Sequence, residues 1–103
     1  MSYSIGDYEF DGPYTQLYEI IDQRGIFAVL TSAGDEWRLL DVDAASSLRS
    51  GIANHPRAQK WKDACYYGDL AYAVYYTFSL SDAEMEDIVD ELISAGHPKC
   101  RGT

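Results

Sequence analysis

Cysteine is scarce in this sequence, with only Cys65 and Cys100 among 103 residues. Two cysteines cannot build the disulfide framework of a small secreted protein, and they indicate a reducing compartment such as the cytoplasm. Long apolar runs are missing too, since residues 26–30 fall far short of the roughly 18 residues that a membrane span needs. Residues 1–4 lead into neither a basic nor an apolar stretch, so we expect no signal peptide and no membrane association.

Basic residues are also few. The 8 Lys or Arg stand against 17 Asp or Glu, which gives a formal net charge of −9. Binding to a phosphate backbone requires a positive surface, so we do not expect nucleic acid as a partner. Residues 44–63 are the exception, because they contain four bases and one acid. This basic segment lies between two acidic ones and is the best sequence argument for nucleic acid.

The length and composition predict a single globular domain over residues 1–103. Hydrophobic residues make up 47% of the chain, and a chain of this length can bury roughly 60–70% of its unfolded surface, enough for one core. The sequence contains no internal repeat and no linker that would divide it. Its three prolines are scattered and mark turns.

The first half of the chain predicts strands. Apolar and polar side chains alternate briefly over residues 8–10, and residues 11–13 are typical of a turn. A short helix is expected over 14–21. Residues 25–31 and 36–42 are rich in β-branched and apolar side chains, and four turn residues separate them. These two runs predict an antiparallel hairpin.

Two short helices are expected next. Asp43 is interpreted as the N-cap of a helix over 44–53, because its side-chain oxygen can accept hydrogen bonds from free amides of the first turn. Pro56 ends that helix. A second helix is expected over 57–65, with Trp61 pointing inward.

The remaining elements are a strand over 70–78 and a closing helix. Ser81 and Glu84 fit a capping box, and Gly96 suits the left-handed stop at the helix end. The acidic side of residues 82–91 is interpreted as a solvated helix face. Together the elements predict an α+β fold, a small, mainly antiparallel sheet of three or slightly more strands flanked by helices. The apolar stripe of the closing helix consists of Met85, Ile88, Val89, Leu92 and Ile93.

The order of these elements resembles the GIY-YIG nuclease superfamily over roughly residues 23–100. Four segments with the expected order and spacing carry the resemblance. They are Gly25-Ile26-Phe27 for the first half-motif, Asp41-Val42-Asp43 for the second, Ser47-Leu48-Arg49 with Ile52 and His55 for the next helix, and Val89, Leu92-Ile93 and Pro98 for the closing segment.

The resemblance implies chemistry that this chain lacks. Active members use a tyrosine that activates or acts as the nucleophile, an arginine that contacts the phosphate and a glutamate that holds a divalent metal. The arginine and the metal offset the extra negative charge of the pentacoordinate phosphate. Those positions fall on Asp41, Gly51 and Val89, and the tyrosine of the first half-motif falls on Phe27. The resemblance therefore implies a degenerate, catalytically inactive member that needs no cofactor.

An alternative reading keeps an enzyme. A divergent metal-dependent DNA endonuclease would use Asp41 or Asp43 with His55 and Arg49, together with Mg²⁺ or Mn²⁺. Asp41 and Asp43 lie two residues apart on a strand, so their carboxylates can face the same way. We favour the simpler interpretation, in which Asp41 is solvated, Asp43 is a cap and His55 is a partly buried structural residue.

Tyrosine is abundant, with nine residues, and large amphipathic rings favour protein contacts when they are exposed. Alternatively, many of these rings line the sheet core. The preferred function is binding of another protein, one with a basic surface that the acidic charge would attract. The candidate binding residues are Tyr66, Tyr67, Tyr75, Arg57, Lys60 and Lys62.

Overall fold

The computed structural model describes residues 2–64, 69–77 and 79–100. Within these ranges, five strands form one antiparallel sheet in the order β1-β2-β5-β3-β4, and helices cover both faces. The α+β class is therefore confirmed, with a larger sheet than the three-stranded minimum. The elements are β1 (Ser2–Ile5), β2 (Tyr8–Tyr14), a 3₁₀ turn (Leu17–Glu19), β3 (Gly25–Ala33), β4 (Glu36–Ala45), α1 (Leu48–Ala53), α2 (Ala58–Ala64), β5 (Leu70–Tyr76) and α3 (Asp82–Gly96).

The predicted hairpin is the centre of the sheet. Strand β3 pairs with β4 on one side and with β5 on the other, so Phe27 lies opposite both Asp43 and Val74. Residues 26–30 are fully buried, as expected for a strand that is covered on both faces. The structure confirms the hairpin and extends both of its strands beyond the predicted ends.

A bulge in β4 decides which way its side chains point. Val29 pairs with Asp41, whereas Leu30 pairs with Leu39, so Leu40 is the extra residue. Leu40 packs in the same core cluster as Trp61, and the Asp41 carboxylate accepts a hydrogen bond from the Trp61 indole. The bulge thus places two consecutive side chains on the same face of the sheet.

Two hydrophobic cores lie on opposite faces of the sheet. On one face, α3 packs through Met85, Val89 and Leu92, which are all buried. On the other face, α1 and α2 pack around Trp61. Alternate residues of β5 face the two cores, as the predicted strand requires; Phe78, at the end of the predicted range, lies outside the described residues.

The turn predicted at residues 11–13 is wrong, because β2 continues through it to Tyr14. A cis peptide bond joins Gly12 and Pro13, and the pairing with β5 shifts register between Asp11 and Tyr14. A Cβ at Gly12 would lie 2.9 Å from the carbonyl oxygen of Tyr72, so close strand approach accounts for this glycine. The helix expected over 14–21 is only the 3₁₀ turn Leu17–Glu19.

The cap assigned to Asp43 is also wrong. Asp43 lies inside β4, and α1 begins five residues later at Leu48 with Ser47 as its N-cap. The strand continues to Ala45 because residues 43–45 complete the pairing with β3. The second helix is confirmed as α2, and Trp61 is buried as expected.

The closing helix is confirmed with its capping box of Ser81 and Glu84. Its end differs from the prediction, since Gly96 is still helical and His97 adopts the left-handed conformation with φ of 48°. A Cβ at Gly96 would lie 2.5 Å from Leu39 Cδ2, so glycine lets α3 lie close to β4. No helix among the described residues is long and apolar enough to cross a membrane.

Candidate functional site

Asp41 is the centre of a polar cluster beneath α2. Its side chain is fully buried, which contradicts the expectation of a solvated carboxylate. The carboxylate accepts hydrogen bonds from Arg57 Nε at 2.6 Å, from Arg57 Nη2 at 3.3 Å and from Trp61 Nε1 at 2.8 Å. The β4 bulge turns Asp41 toward these donors, and burial is tolerated because charge and hydrogen bonds are matched.

Asp43 joins the same cluster from the next inward-facing position of β4. Its Oδ2 lies 2.8 Å from His55 Nε2 and accepts from Arg57 Nη2 at 3.2 Å, while Oδ1 accepts from the backbone N–H of Ala44. The predicted shared orientation of Asp41 and Asp43 is therefore correct. A guanidinium group bridges the two carboxylates, where the metal-site hypothesis would place a cation.

His55 is held by two hydrogen bonds of different kinds. Its Nδ1 accepts the backbone N–H of Arg57 at 3.1 Å, so the neutral ring carries its proton on Nε2 and donates it to Asp43. The ring lies 4.8 Å from the Trp61 ring, centroid to centroid, and meets the Phe27 ring edge-on. These contacts fix one tautomer and one orientation. We name the group of Asp41, Asp43, His55, Arg57 and Trp61 the Asp41 cluster.

The electrostatics of the Asp41 cluster favour a charged guanidinium. Burial alone lowers the pKa of Arg57, but the hydrogen bonds that Arg57 donates to Asp41 and the charges of Asp41 and Asp43 raise it, and the net shift is upward. Cys100 lies at the edge of this region, and burial is the main reason that the pKa of its thiol is raised. A thiol with a raised pKa is a poor nucleophile.

The positions that the resemblance to GIY-YIG nucleases would assign to catalysis have structural roles in this chain. Phe27 is fully buried under His55 and Trp61. A Cβ at Gly51 would lie 2.5 Å from the Cβ of Ala45, so no side chain fits there without movement. Val89 is only 4% exposed and belongs to the core under α3.

Arg49 takes no part in the Asp41 cluster. Its guanidinium donates to the carbonyl oxygens of Ile20 at 2.6 Å and Tyr18 at 3.0 Å. Asp22 accepts the backbone N–H of Arg49 and the hydroxyl of Ser47. These bonds attach the segment before β3 to the start of α1, so the structure separates Arg49 from the other three residual catalytic candidates.

The predicted binding residues do not share one surface. Tyr75 is half-buried on the α3 side, where its ring contacts Tyr8 and Phe10. Lys60 and Lys62 are exposed on α2, and Arg57 is engaged with the Asp41 cluster. Tyr66 and Tyr67 lie outside the described residues, as does Cys65.

A cleft at the edge of the sheet, beside the end of β4, was not predicted. It has a volume of about 460 Å³ and lies between the end of β4 and the first part of α3. The sequence does contain a signal for this cleft, because three carboxylates of α3 recur at every fourth residue. These carboxylates were interpreted as a solvated helix face. We name it the β4–α3 cleft; it is lined by Asp43, Ala44, Ala45, Ser46, Asp82, Met85, Glu86, Val89 and Asp90.

The Asp41 cluster was missed for a different reason. The sequence pattern placed Asp41 beside Asp43, but it indicated only a surface base at Arg57 and a core residue at Trp61. The usable signal is the spacing of Arg57 and Trp61, four residues apart at the start of a helix, which places both on one side. Trp61 N donates to Arg57 O, so Arg57 does begin that helical turn.

Among the residues that the structure describes, no group of three or more His, Cys, Asp or Glu side chains is placed to hold a metal ion. Comparisons of the chain with protein-family models, curated proteins and solved structures find no match.

Proposed function

We propose that this chain is a catalytically inactive GIY-YIG-like domain that binds another protein through its acidic surface. The proposal rests on one observation: the residues at the positions that match the family's catalytic residues have structural roles. Asp41 is buried and bound to two donor side chains, Gly51 has no space for a side chain, and Val89 is in the core.

Each of these three positions opposes catalysis for its own physical reason. A group that acts on phosphate must reach the substrate, whereas Asp41 is covered and its oxygens accept from Arg57 and Trp61. An arginine at position 51 would displace Ala45 of β4. A glutamate at position 89 would place a charge in an apolar core.

Charge supports a protein partner with a basic surface. The net charge of −9 repels phosphate, but it accelerates encounter with a positively charged protein. Arg24 is already paired with Asp82, and Arg57 with Asp41 and Asp43, so neither guanidinium is free to bind a phosphate backbone. A nucleic-acid-binding protein is a partner of this kind, since its binding face is basic.

The proposal is tested by using the tagged full chain as bait at low and high salt. We expect a basic protein to be captured at low salt, to be released as the salt concentration rises, and to bind again when purified. Salt dependence follows because exposed charges are screened beyond about 10 Å at 0.1 M ionic strength. Failure to capture any protein at either salt concentration contradicts the proposal.

One observation favours the alternative of a metal-dependent endonuclease. Asp43, His55 and Arg57 meet within hydrogen-bonding distance, and such a trio has the chemical groups for acid–base work on phosphate. A titration with Mn²⁺, followed by paramagnetic broadening in NMR spectra, distinguishes the two. Broadening centred on Asp43 and His55 supports the endonuclease, whereas broadening spread over exposed carboxylates supports the binding domain.

A further inference from the structure

The two edge strands of the sheet, β1 and β4, differ in how their outward backbone groups are used. An edge strand presents unpaired N–H and C=O groups, and an extended segment of another chain can add to them as a further strand. At β4 the chain covers part of this edge with residues that follow α3. The N–H groups of Lys99 and Cys100 donate to the carbonyl oxygens of Leu39 and Leu40 at 3.2 and 2.7 Å.

Side chains occupy further backbone groups of β4. The N–H groups of Val42 and Ala44 donate to the carboxylates of Asp41 and Asp43, each at 2.9 Å. The bulge at Leu40 also breaks the regular spacing that a pairing strand needs. These features block the addition of a strand to β4.

β1 has none of these features. It pairs with β2 in an unbroken register from Ser2 to Ile5, and it contains neither a charged residue nor a proline, the residues that usually protect an edge. Alternate residues of a strand direct their backbone groups to the same side, so half of these groups in β1 point away from β2. No strand among the described residues pairs with them, and β1 is therefore an open edge.

The side chains beside this edge favour a basic segment. Ser2 and Ser4 lie on one face next to Asp11 and Glu9 of β2, and all four side chains are exposed. Within the described ranges, no base lies at ion-pair distance from Glu9 or Asp11. A residue paired with Ser4 on an added strand would lie two strand spacings, about 10 Å, from Glu9. A lysine or arginine side chain can extend over the small serine toward that carboxylate.

On the other face, Tyr3 extends the α3 core to the edge of the sheet. Its ring is half-buried against that core, and the neighbouring Ile5 is only 4% exposed. An apolar side chain on an added strand would cover the exposed part of the Tyr3 ring. The edge therefore matches a segment in which basic and apolar residues alternate.

Charge favours a different protein over a second copy as the occupant. Pairing two β1 strands around a twofold axis would place Glu9 and Asp11 of both copies on one face of the joined sheet, and each chain carries a net charge of −9. Like charges disfavour that association, whereas a basic segment supplies the opposite charge.

We propose that β1 docks an extended, basic segment of the partner protein as a sixth strand of the sheet. Hydrogen bonds to the outward backbone groups of β1 hold the segment in place. Its basic side chains extend toward Glu9 and Asp11, and its apolar side chains cover Tyr3. This inference rests on the proposed function and identifies the docking surface and the partner's chemistry.

The test is an NMR titration of the full chain with a short capped peptide of alternating lysine and valine. We expect amide chemical-shift changes centred on residues 2–5 and 8–11. Shift changes centred elsewhere would overturn the inference. Shift changes of residues 2–5 that grow with protein concentration in the absence of peptide would identify a second copy as the occupant and would also overturn it.

Backbone pairing is tested by modifying the peptide, which leaves the protein unchanged. One peptide carries N-methyl groups on all of its lysines and another carries them on all of its valines. On a strand, one of these two sets of N–H groups points toward β1 and the other points away. Methylation of the set that faces β1 should weaken binding by at least about tenfold, because hydrogen bonds to the edge are lost. Equal affinity of the two methylated peptides would overturn the inference.

A pair of variants separates the β1 edge from general attraction by charge. Glu9→Gln with Asp11→Asn should weaken binding of the unmodified peptide about three- to tenfold, the effect of losing two exposed ion pairs. Asp35→Asn with Glu36→Gln removes the same charge from exposed positions at the β3–β4 turn, and it should change the affinity by less than about twofold. Equal weakening by both double variants would overturn the inference.

Competition with a captured partner distinguishes this inference from the proposed function. The lysine–valine peptide should displace a basic protein that the full chain has captured. A partner that the peptide does not displace, and that binds the Glu9→Gln, Asp11→Asn variant as tightly as the native chain, would leave the proposed function intact and overturn docking at β1.

Discussion

At the scale of single residues, Asp41 shows how a carboxylate becomes part of the core. It is fully buried, yet the guanidinium of Arg57 and the indole of Trp61 both donate to it. A buried ion pair adds little net stability over an apolar replacement, but removing one partner leaves the other charge without compensation. Asp41 therefore links β4 to α2 and specifies how they meet.

Asp41→Ala should lower the free energy of unfolding by about 2–4 kcal/mol, because the Trp61 N–H would lose its buried acceptor and Arg57 would keep only Asp43 as a carboxylate partner. Urea denaturation followed by circular dichroism measures this loss. Asp87→Ala is the matched control, since it removes an exposed carboxylate, and it should change stability by less than about 0.5 kcal/mol. A loss below about 1 kcal/mol for Asp41→Ala would contradict the structural role.

His55 gives a second prediction at this scale. Because Nδ1 accepts the backbone N–H of Arg57, the neutral ring should be the Nε2–H tautomer. The ¹⁵N chemical shifts of the ring nitrogens report the tautomer directly. A protonated Nδ1 in the neutral ring would mean that the ring does not bridge Asp43 and Arg57 as described.

Tyr14 supplies a pH-dependent prediction. Its hydroxyl donates to Asp11 at 2.7 Å, and this bond is the main reason that the pKa of Tyr14 is raised from 10.0 to about 12. Since the folded chain holds the proton more tightly, this contribution is fully present below pH 10 and is lost as the pH rises to about 12. Asp11→Asn should return the pKa of Tyr14 toward its ordinary value, measured by the ¹³Cζ shift; an unchanged pKa would contradict this cause.

At the scale of elements, the sequence pattern correctly predicted the elements that depend on residues close together in the chain. The hairpin of β3 and β4 follows from two β-rich runs and a short turn, and α3 follows from a capping box and an apolar stripe. Both features depend on residues close in sequence, and the structure contains both.

Tertiary contacts decided the elements that the pattern missed. The sequence around Asp43 suits a helix cap, but pairing with Phe27 of β3 keeps it in a strand. The Leu40 bulge leaves no sequence signature, yet it turns Asp41 inward. The Asp41 cluster depends on both events, so its candidate members were predictable one by one while their arrangement was not.

Gly51 provides the prediction for α1. Alanine normally stabilises a helix relative to glycine by about 1 kcal/mol, but here a Cβ would lie 2.5 Å from the Cβ of Ala45. Gly51→Ala should therefore destabilise the chain by about 1–3 kcal/mol, the cost of overpacking. Ser50→Ala, at the exposed neighbouring position, is the control and should be neutral or slightly stabilising. A gain in thermal stability for Gly51→Ala would contradict this prediction, because it would mean that β4 moves at little cost to make room for the added methyl group.

At the scale of the whole molecule, the two faces of the sheet differ in charge. The face under α2 contains paired charges within the Asp41 cluster, and α2 itself presents Lys60 and Lys62 to solvent. The face under α3 opens into the acidic β4–α3 cleft. An overall charge of −9 with this distribution is the basis for proposing a basic protein, and not a nucleic acid, as the partner.

DNA cleavage most directly tests the central proposal, that the positions which the resemblance to GIY-YIG nucleases assigns to catalysis maintain the fold and perform no catalysis. The purified chain would be incubated with branched, single-stranded and duplex DNA in Mg²⁺ or Mn²⁺, beside a folded Asp43→Asn variant. The account predicts that both proteins leave all three substrates intact. Cleavage by the native chain that the Asp43→Asn variant lacks would contradict it.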